Sequence, residues 1–275
     1  MKYKIGTVAK LLGVSAEALR LYERNGILVS ERGEGENGYR YYSRLDITAL
    51  LRARTYHQYG FSMRETESLI NTDDVEYARR EYQKRADELE KEILHKQQIL
   101  RYLRQISSLL EELSSELWTI RPGTRPGLYR LEFMKGEDLI LTREQMDLFP
   151  HWVGLAPFSF TSQRNCWSSL EEGRDESFSA LGVMEEDAAA LGMPSFLSGG
   201  TYYPPVPCLY TVVEISEENS SCVQYLDHLY RYVREHHITV TGDPVCRTFL
   251  SMNKREDYER FRQIWLPVAE LPSES

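Results

Sequence analysis

The sequence predicts three successive parts: an N-terminal all-α winged helix-turn-helix, a long coiled-coil dimerisation helix, and a C-terminal α+β domain built from a duplicated β-α-β-β unit. Three observations predict this order. Residues 1–70 form short helical patterns separated by turn signals, residues 73–118 contain no Gly and no Pro, and residues 123–270 mix strand-like runs with two helical stretches. Two Pro-Gly pairs between the second and third parts end the helix and mark a linker.

The predicted boundaries are 1–72 for the N-terminal part (the head), 73–118 for the long helix, 119–126 for the linker and 127–270 for the C-terminal domain. Charge is divided in a similar way. The whole chain has a formal net charge of −9, yet residues 1–70 hold 11 Lys and Arg against 8 Asp and Glu, whereas the remainder holds 22 against 34. A basic head on an acidic body predicts nucleic-acid binding by the head and a different task for the body.

The composition argues against several classes of protein. No apolar run is long enough to span a bilayer and the N-terminus shows no signal-peptide pattern, so a cytoplasmic protein with no membrane partner is expected. The four cysteines are widely spaced and include no C-x-x-C pair, which argues against a disulfide framework and against a zinc site. No metal and no cofactor are expected.

Two short helical patterns surround a glycine near the N-terminus. The apolar residues of KIGTVAKLL follow helical spacing, Gly13 breaks that helix, and Ser15 is a good N-cap for a second helix over about residues 16–24. Two helices around a tight turn make a helix-turn-helix, in which the second helix enters the major groove of DNA. Its exposed side chains are expected to include Ser15, Arg20 and, near the edge, Tyr22.

Two further helices are predicted from their first residues. Ser43 with Asp46, and Ser62 with Glu65, have the spacing of a capping box, in which each side chain bonds the other's backbone. Gly60 ends the first of these two helices. The head is therefore expected to contain a second helix pair after the helix-turn-helix.

A β-hairpin is predicted between residues 28 and 42. LVSER and YRYY are strand-like, and the Gly-rich loop between them ends in Asn-Gly, which favours a hairpin turn. A hairpin that directly follows a recognition helix is a wing, from which the guanidinium fork of Arg40 can reach a phosphate or the minor groove. The alternative is a surface hairpin with aromatic packing on one face. For Tyr41 or Tyr42 considered individually, we expect packing in the core.

A seven-residue apolar period runs through residues 73–118. One stripe comprises Val75, Tyr82, Leu89, Leu103, Leu110 and Leu117, with Lys96 as its only interruption. A second stripe comprises Ile99, Ile106 and Leu113. Such heptads predict a coiled-coil helix about 65–70 Å long. No small domain covers a stripe of that length, so we expect it to pair with its own copy in a homodimer; the alternative is a long core helix packed on its own chain.

Taken together, the motifs of the first part resemble those of the MerR family of bacterial transcription regulators. The matching residues are Ile5-Gly6, Ala9, Gly13-Val14-Ser15, Leu19-Arg20, Tyr22-Glu23, Gly26-Ile27-Leu28, Arg32, Gly38-Tyr39-Arg40-Tyr41-Tyr42, Asp46, Leu50 and Gly60-Phe61-Ser62. The resemblance covers residues 1–70 and continues through the coiled coil. The chain departs from the family where Leu21 replaces a frequent tyrosine and Ser30 a common proline.

The resemblance implies a mechanism and a set of partners. Such regulators bind double-stranded promoter DNA as dimers and distort the spacer between promoter elements, so that RNA polymerase engages both elements. On this basis six residues are expected to contact DNA. They are Ser15, Arg20, Tyr22, Arg32, Tyr39 and Arg40.

The third part repeats one order of elements twice. Strand-like runs are predicted over 127–134, 163–169, 176–184, 207–216, 245–251 and 258–267, and helices over 142–154 and 220–237. The order strand, helix, strand, strand therefore occurs twice, which predicts an α+β domain with a groove between its halves. Aromatic residues are dense here; most are expected in the core, and some could line a pocket for a flat apolar ligand.

The closing RQIWLPV and the doubled pattern resemble the GyrI-like effector-binding domain of multidrug-responsive regulators. The resemblance implies a small lipophilic aromatic ligand, which neighbouring carboxylates would favour as a cation. In that family an acidic residue usually stands where this chain has Gln263, so the ligand is either neutral or held by another carboxylate. The expected effector-binding residues are Glu132, Trp152, Trp167, Phe178, Tyr210, Glu214, Gln263 and Trp265.

Two other functions remain open for the third part. Some free-standing domains of this fold hydrolyse small molecules, but Gln263 cannot act as a general base and the sequence holds no plausible catalytic triad, so no enzyme is expected. The domain could instead bind a protein in an orphan regulator. A binding pocket would separate these alternatives.

Overall fold

The computed structural model describes residues 2–28, 30–32, 40–190, 192–193, 197–254 and 257–271. The chain divides into two compact units, residues 1–94 and 95–275. The division falls inside the long helix rather than at either of its predicted ends. The helix therefore contributes its N-terminal half to the first unit and its C-terminal half to the second.

The head of the first unit contains four helices at the predicted places. They are α1 (Ile5–Leu12), α2 (Ala16–Arg24), α3 (Arg44–Gln58) and α4 (Met63–Asn71). Gly13 ends α1 with φ 62°, a left-handed conformation that favours glycine. Ser15 caps α2 by accepting from the Ala18 N–H, and both predicted capping boxes are present at the starts of α3 and α4. Apolar side chains from these elements form one core, centred on Val8, Leu19, Tyr42 and Ala53.

The head is not all-α, because its described residues include a three-stranded antiparallel sheet. The strands are β1 (Tyr3–Lys4), β2 (Glu31–Arg32) and β3 (Arg40–Tyr42), in the order β1-β3-β2. Strands β2 and β3 pair in the register Glu31 to Tyr41, as a hairpin between residues 28 and 42 requires. Strand β1 escaped prediction because two residues are too short to show a period. The predicted turn over 33–38 and Tyr39 lie outside the described residues.

Helix α5 (Val75–Glu111) is the longest element, and it leaves most of the first predicted stripe in solvent. Val75, Leu103 and Leu110 are 79%, 59% and 40% exposed. The helix ends earlier than predicted: a short helix α6 (Leu113–Glu116) follows, and Leu117 forms a parallel bridge with Val212 instead of extending the stripe.

The second unit is built on an antiparallel sheet of nine strands among the described residues. They are β4 (Arg121–Arg125), β5 (Leu128–Lys135), β6 (Asp138–Leu139), β7 (Ser159–Asn165), β8 (Ser177–Met184), β9 (Thr201–Tyr203), β10 (Val206–Ile215), β11 (Val245–Lys254) and β12 (Asp257–Pro267). The order is β4-β10-β12-β11-β7-β8-β5-β6, with β9 also paired to β5. The predicted linker over 119–126 therefore contains an edge strand, β4.

The strand order repeats the predicted duplication. In the first half β5, β8 and β7 lie in that order, and in the second half β10, β12 and β11 do the same. The halves meet where β7 pairs with β11, between Val245 and Arg164 and their neighbours. Each half thus contributes its middle strand in sequence to the centre of one continuous sheet.

Helices pack on one face of the sheet in two groups. They are α7 (Arg143–Gly154), α8 (Trp167–Glu171), α9 (Glu185–Ala190), α10 (Cys222–Tyr225) and α11 (Asp227–Glu235). Two predictions need correction: residues 167–169 begin α8 rather than end a strand, and the helix over 220–237 breaks at Leu226. Among the described residues, no helix is both long and apolar enough to cross a membrane.

His228 of α11 gives the second unit a pH-dependent stability. Its imidazole lies 3.2 Å from the Thr211 hydroxyl and edge-on to Trp118, and burial lowers its pKa from 6.5 to about 4. The folded state therefore favours neutral imidazole. The stabilisation is complete above pH 6.5 and is lost as the pH falls from 6.5 towards 4, because the unfolded chain takes up the proton first.

We expect His228→Gln to remove this dependence. Across that pH range the wild type should lose about 2–3 kcal/mol through this one group, whereas the variant should lose less. Urea unfolding at a series of pH values between 4 and 7, followed by tryptophan fluorescence, measures the difference. Equal pH slopes for the two proteins would contradict the assignment.

Candidate DNA-binding and effector sites

The outer surface of α2 carries an exposed cluster of charge. Arg20 lies 3.0 Å and Arg24 3.3 Å from the two carboxylate oxygens of Glu17, and all three side chains are at least 47% exposed. Ser15 is also exposed, but its hydroxyl already accepts the Ala18 N–H as the helix cap. Exposed ion pairs of this kind contribute little to stability, so the arginines can exchange Glu17 for another anion at low cost.

Arg40 is held more firmly than its position in a hairpin suggests. Its Nε lies 2.9 Å from Glu23 Oε2, and the Arg40 side chain is only 30% exposed. The Tyr42 hydroxyl donates to the other oxygen of Glu23 at 2.8 Å, and Tyr42 is fully buried. Glu23 thus ties strand β3 to helix α2. The expected core role of Tyr42 is confirmed.

The remaining residues expected to contact DNA are placed unequally. Tyr22 is partly buried against the head core, with its ring 5.9 Å from that of His57. The backbone of Arg32 pairs with that of Arg40 in the sheet. Tyr39 lies outside the described residues. Arg54, which could have added charge to a DNA surface, instead donates to the Leu12 carbonyl and so closes the C-terminal end of α1.

Alternation along the strands of the second unit separates two faces of the sheet. Leu209, Ile264 and Leu266 point into a core shared with α11. Their neighbours Gln263 and Trp265 point to the opposite face, where helix α5 lies. We call this the α5 face of the sheet.

The structure does not bring the eight expected effector residues together. Trp152 is fully buried in a core with Leu131 and Val183, and Trp167 is buried in the separate core under α11. Both tryptophans lie among apolar side chains that the helices cover, so packing accounts for them. Their aromatic character alone could not show which face of an element they occupy.

Glu132 is fully engaged in an internal ion-pair network. It accepts from Arg130 Nη1 at 2.8 Å and from Arg164 Nε and Nη2 at 2.8 and 3.1 Å. These two guanidinium groups lower the pKa of the Glu132 carboxyl against the opposing effect of burial. Arg164 also pairs with Asp243 at 2.7 Å, and its Cζ lies 4.0 Å from the ring centroid of Phe178. Glu132 therefore has two cations already, and Phe178 covers one of them.

The α5 face holds a cavity of about 320 Å³ that contains two of the expected residues, Gln263 and Trp265. Gln263 Nε2 donates to the Tyr210 hydroxyl at 3.1 Å, and the Tyr210 and Trp265 rings lie 6.3 Å apart. Tyr210, Gln263 and Trp265 thus form one group: alternation along β12 puts Gln263 and Trp265 on the same face, and Tyr210 joins them from β10. Glu214 is half-buried further along β10, opposite Phe261 rather than in the cavity lining.

Several residues of this cavity were not singled out from the sequence. The largest is Arg247 of β11, which pairs across the strands with Gln263. Gln105, Ser108 and Leu109 of α5 complete one wall. A lone arginine in the otherwise uncharged run VCRTFLSMN was the available signal, because a charge inside a strand next to apolar residues calls for a partner.

A second cavity of about 300 Å³ lies over strands β7, β8, β11 and β12. Arg260 and Arg262 are among its lining residues, with threonine, serine and glutamine side chains around them. Arg262 donates to Gln163 and to the Tyr225 hydroxyl, at 2.5 and 3.4 Å, so its charge already has acceptors. This cavity is more polar than the one on the α5 face.

Residues 3–72 match a family model that is described as MerR HTH family regulatory protein. The head is therefore similar to the helix-turn-helix region of that family, and the match ends before α5 begins. The family assignment covers this region and not the second unit.

Two curated proteins are similar to this chain over about a quarter of its length. The mercuric resistance operon regulatory protein of Bacillus cereus is 35% identical over 79 residues, which cover 29% of this chain and 59% of that protein. The HTH-type transcriptional regulator CueR of Escherichia coli is 39% identical over 67 residues, covering 24% and 49%. The chain thus spans about half the length of the curated relatives that it matches.

One solved structure aligns with nearly the whole chain. The cryo-EM structure of the EcmrR-DNA complex in EcmrR-RPo covers 98% of this chain and 100% of that one, at 15% identity and a TM-score of 0.31.

Proposed function

We propose that this chain is a ligand-responsive transcription regulator that binds double-stranded promoter DNA as a homodimer. The observation that carries the proposal is the MerR-type helix-turn-helix over residues 3–72, in which α2 presents Arg20 and Arg24 to solvent. The relatives that are similar to the chain over 79 and 67 residues are named as regulators. A second helix with exposed basic side chains is suited to the major groove.

The proposed DNA contacts come from α2 and the hairpin. Arg20 and Tyr22 lie on α2, Ser15 stands at its N-terminus, and Arg32 and Arg40 lie on β2 and β3. Tyr39, which completes the proposed set, lies outside the described residues. Arg40 is held by Glu23, which fixes the hairpin to α2 before DNA arrives. Phosphate contacts from such arginines supply affinity and register rather than sequence preference.

The proposed dimer forms through residues 73–118. Val75, Leu103 and Leu110 stay exposed on α5, and a second copy is the simplest cover for a stripe of that length. Two heads held at a fixed distance could then bend and untwist the promoter spacer for RNA polymerase.

The proposed sensor is the second unit, acting as a GyrI-like domain. Its cavity on the α5 face has an aromatic wall, at Trp265, and residues of α5 form another part of its lining. A ligand in this cavity would therefore contact α5, the helix whose N-terminal half belongs to the first unit. On this proposal an aromatic effector changes the spacing of the two heads on DNA; equal spacing with and without effector would contradict it.

We expect Arg40→Ala to weaken binding to every duplex sequence and to reduce the salt slope of the affinity by about one. The reason is the loss of one phosphate contact. Fluorescence anisotropy with a labelled duplex, enriched from a random library by the purified protein, measures both quantities between low and moderate salt.

Arg79→Ala is the matched control, because Arg79 is 64% exposed on α5 and pairs with Glu76. It removes one guanidinium from the same unit but away from α2 and the hairpin, so affinity and slope should stay at the wild-type values. An unchanged slope for Arg40→Ala would remove Arg40 from the DNA surface. Failure of the library to yield any bound duplex would contradict DNA binding itself.

A further inference from the structure

Arg247 is a buried cation whose two inner nitrogens lack partners. The residue is 6% exposed, and neither Nε nor Nη2 has a hydrogen-bond partner among the described residues. Burying a charge is costly unless hydrogen bonds or an opposite charge compensate. Arg130, also buried, shows the usual solution: it donates to Ser162, Glu132 and Tyr203. Arg247, by contrast, lines a cavity and leaves Nε and Nη2 without hydrogen-bond partners among the described residues.

Aromatic rings hold the Arg247 guanidinium in place. Its Cζ lies 5.0 Å from the ring centroid of Tyr102 on α5 and 5.1 Å from that of Phe160 on β7. Such stacking orients the guanidinium plane but accepts no hydrogen bond from its N–H groups. The donors of Arg247 are therefore positioned without being used.

The same cavity contains a second unmet polar atom, Gln263 Oε1. It is buried and has no hydrogen-bond partner among the described residues, while Nε2 of the same amide is committed to Tyr210. Gln263 and Arg247 are cross-strand partners, so their unmet groups share one face of the sheet. Trp265 lies beside them in the lining and offers a flat apolar surface.

The carboxylates near Arg247, those of Asp187 and Glu186, form ion pairs with Arg101. Asp187 is close enough to feel the charge of Arg247, but its carboxylate accepts from Arg101, which also pairs with Glu186 at 3.2 Å. Glu186 lies at the rim of the cavity and is 55% exposed. The buried part of the cavity wall therefore presents the cation of Arg247 and the neutral amide of Gln263.

We propose that the cavity on the α5 face binds a flat aromatic acid, whose carboxylate or phosphate accepts from Arg247 Nε and Nη2. The fork of a guanidinium matches the two oxygens of such a group. Trp265 packs against the aromatic body, and Gln263 Oε1 accepts from a donor on the ligand or from a bound water. This inference rests on the proposed sensor role of the second unit and reverses the ligand charge expected from the family resemblance.

The test uses three probes that share one ring and differ in charge: naphthalene-2-carboxylate, naphthalene-2-carboxamide and 2-naphthylmethylammonium. Isothermal titration calorimetry of the full chain should show the carboxylate binding at least about 10-fold more tightly than either other probe. Arg247→Gln should weaken carboxylate binding by about 10- to 100-fold and leave the carboxamide little changed.

Two further variants complete the test. Arg260→Gln removes a guanidinium from the other cavity of the same sheet and should leave carboxylate binding unchanged. Gln263→Glu places a carboxylate beside Arg247 and should abolish the preference for the acid, because the internal ion pair competes with it. Thermal unfolding without ligand adds a second measurement: Arg247→Gln should be at least as stable as wild type, since it removes an unpaired buried charge.

Three outcomes would overturn the inference. They are tightest binding of the ammonium probe, equal carboxylate binding by wild type and Arg247→Gln, and failure of all three probes to bind. None of them affects DNA binding, which the duplex enrichment tests separately. A saturable preference for the ammonium probe would retain the sensor role and refute only the acidic ligand.

Discussion

Leu103→Glu should convert the proposed dimer into a monomer. Leu103 is 59% exposed on the stripe of α5, and each dimer would carry the substitution twice. Burial of a leucine contributes about 1.5–3 kcal/mol, so losing two of them costs about 3–6 kcal/mol before the desolvation of two carboxylates is added. The dimer dissociation constant should therefore rise by more than about 100-fold.

The same substitution should weaken DNA binding by a larger factor than any single DNA contact. Two linked heads gain about 10²- to 10⁴-fold in affinity over one head, and a monomer forfeits that gain. Sedimentation equilibrium measures the dimer, and anisotropy with the enriched duplex measures the affinity. Arg104→Glu is the control, because it places an acidic side chain on the next residue, off the stripe. A dimeric Leu103→Glu protein would show that α5 pairs elsewhere or packs on its own chain.

Glu132→Gln should destabilise the second unit by about 3–5 kcal/mol. Glu132 is the carboxylate that neutralises Arg130, whose side chain is fully buried, and it also pairs with Arg164. The amide keeps the shape but not the charge, so Arg130 would remain buried without a counter-charge. Arg164 would be less affected because Asp243 still pairs with it.

Tryptophan fluorescence during urea unfolding measures this loss cleanly. All four tryptophans (Trp118, Trp152, Trp167 and Trp265) belong to the second unit, so the signal reports on that unit alone. Glu172→Gln is the matched control: it breaks a largely exposed pair with Arg174 and should cost less than about 1 kcal/mol. If Glu132→Gln cost no more than this control, the network would not be a source of stability.

The parts of the fold that local chemistry decides were predictable from sequence. Ser15, Ser43 and Ser62 cap helices because a hydroxyl accepts a free N–H at a helix start, and this needs only neighbouring residues. Alternation along β12 puts Gln263 and Trp265 on one face, because successive side chains of a strand point to opposite sides of the sheet. The doubled order of strands and helices likewise predicted the internal repeat of the sheet, because each element of that order is recognised from neighbouring residues.

The errors arose where distant residues decide the structure. The Pro-Gly pairs of 119–127 predicted a linker, but proline is tolerated at a sheet edge, and β4 with Pro122 is an edge strand. Trp152 and Trp167 were chosen as pocket residues because a ring suits both a core and a ligand. Arg247 was missed because its lack of partners depends on segments that are far apart in the sequence and meet at one cavity.

The ion pairing of Glu132 depends partly on neighbouring residues and partly on distant ones. Arg130 stands two residues away on the same strand, so alternation already placed both side chains on one face. That spacing was an available signal for an ion pair, which was not used, and it could not have shown that Arg164 from β7 joins the pair. A carboxylate with a basic residue two positions away on the same strand is therefore less suited to bind a cationic ligand than a carboxylate without such a neighbour.

The most direct test of the proposed function is a DNase I footprint of the wild-type protein on its enriched duplex, with sedimentation to count chains. The proposal predicts two chains per duplex and two protected half-sites about one helical turn, or a multiple of it, apart. It also predicts enhanced cleavage between them where the DNA is distorted. A single protected site with one chain bound, or no protection, would contradict a dimeric regulator that deforms its promoter.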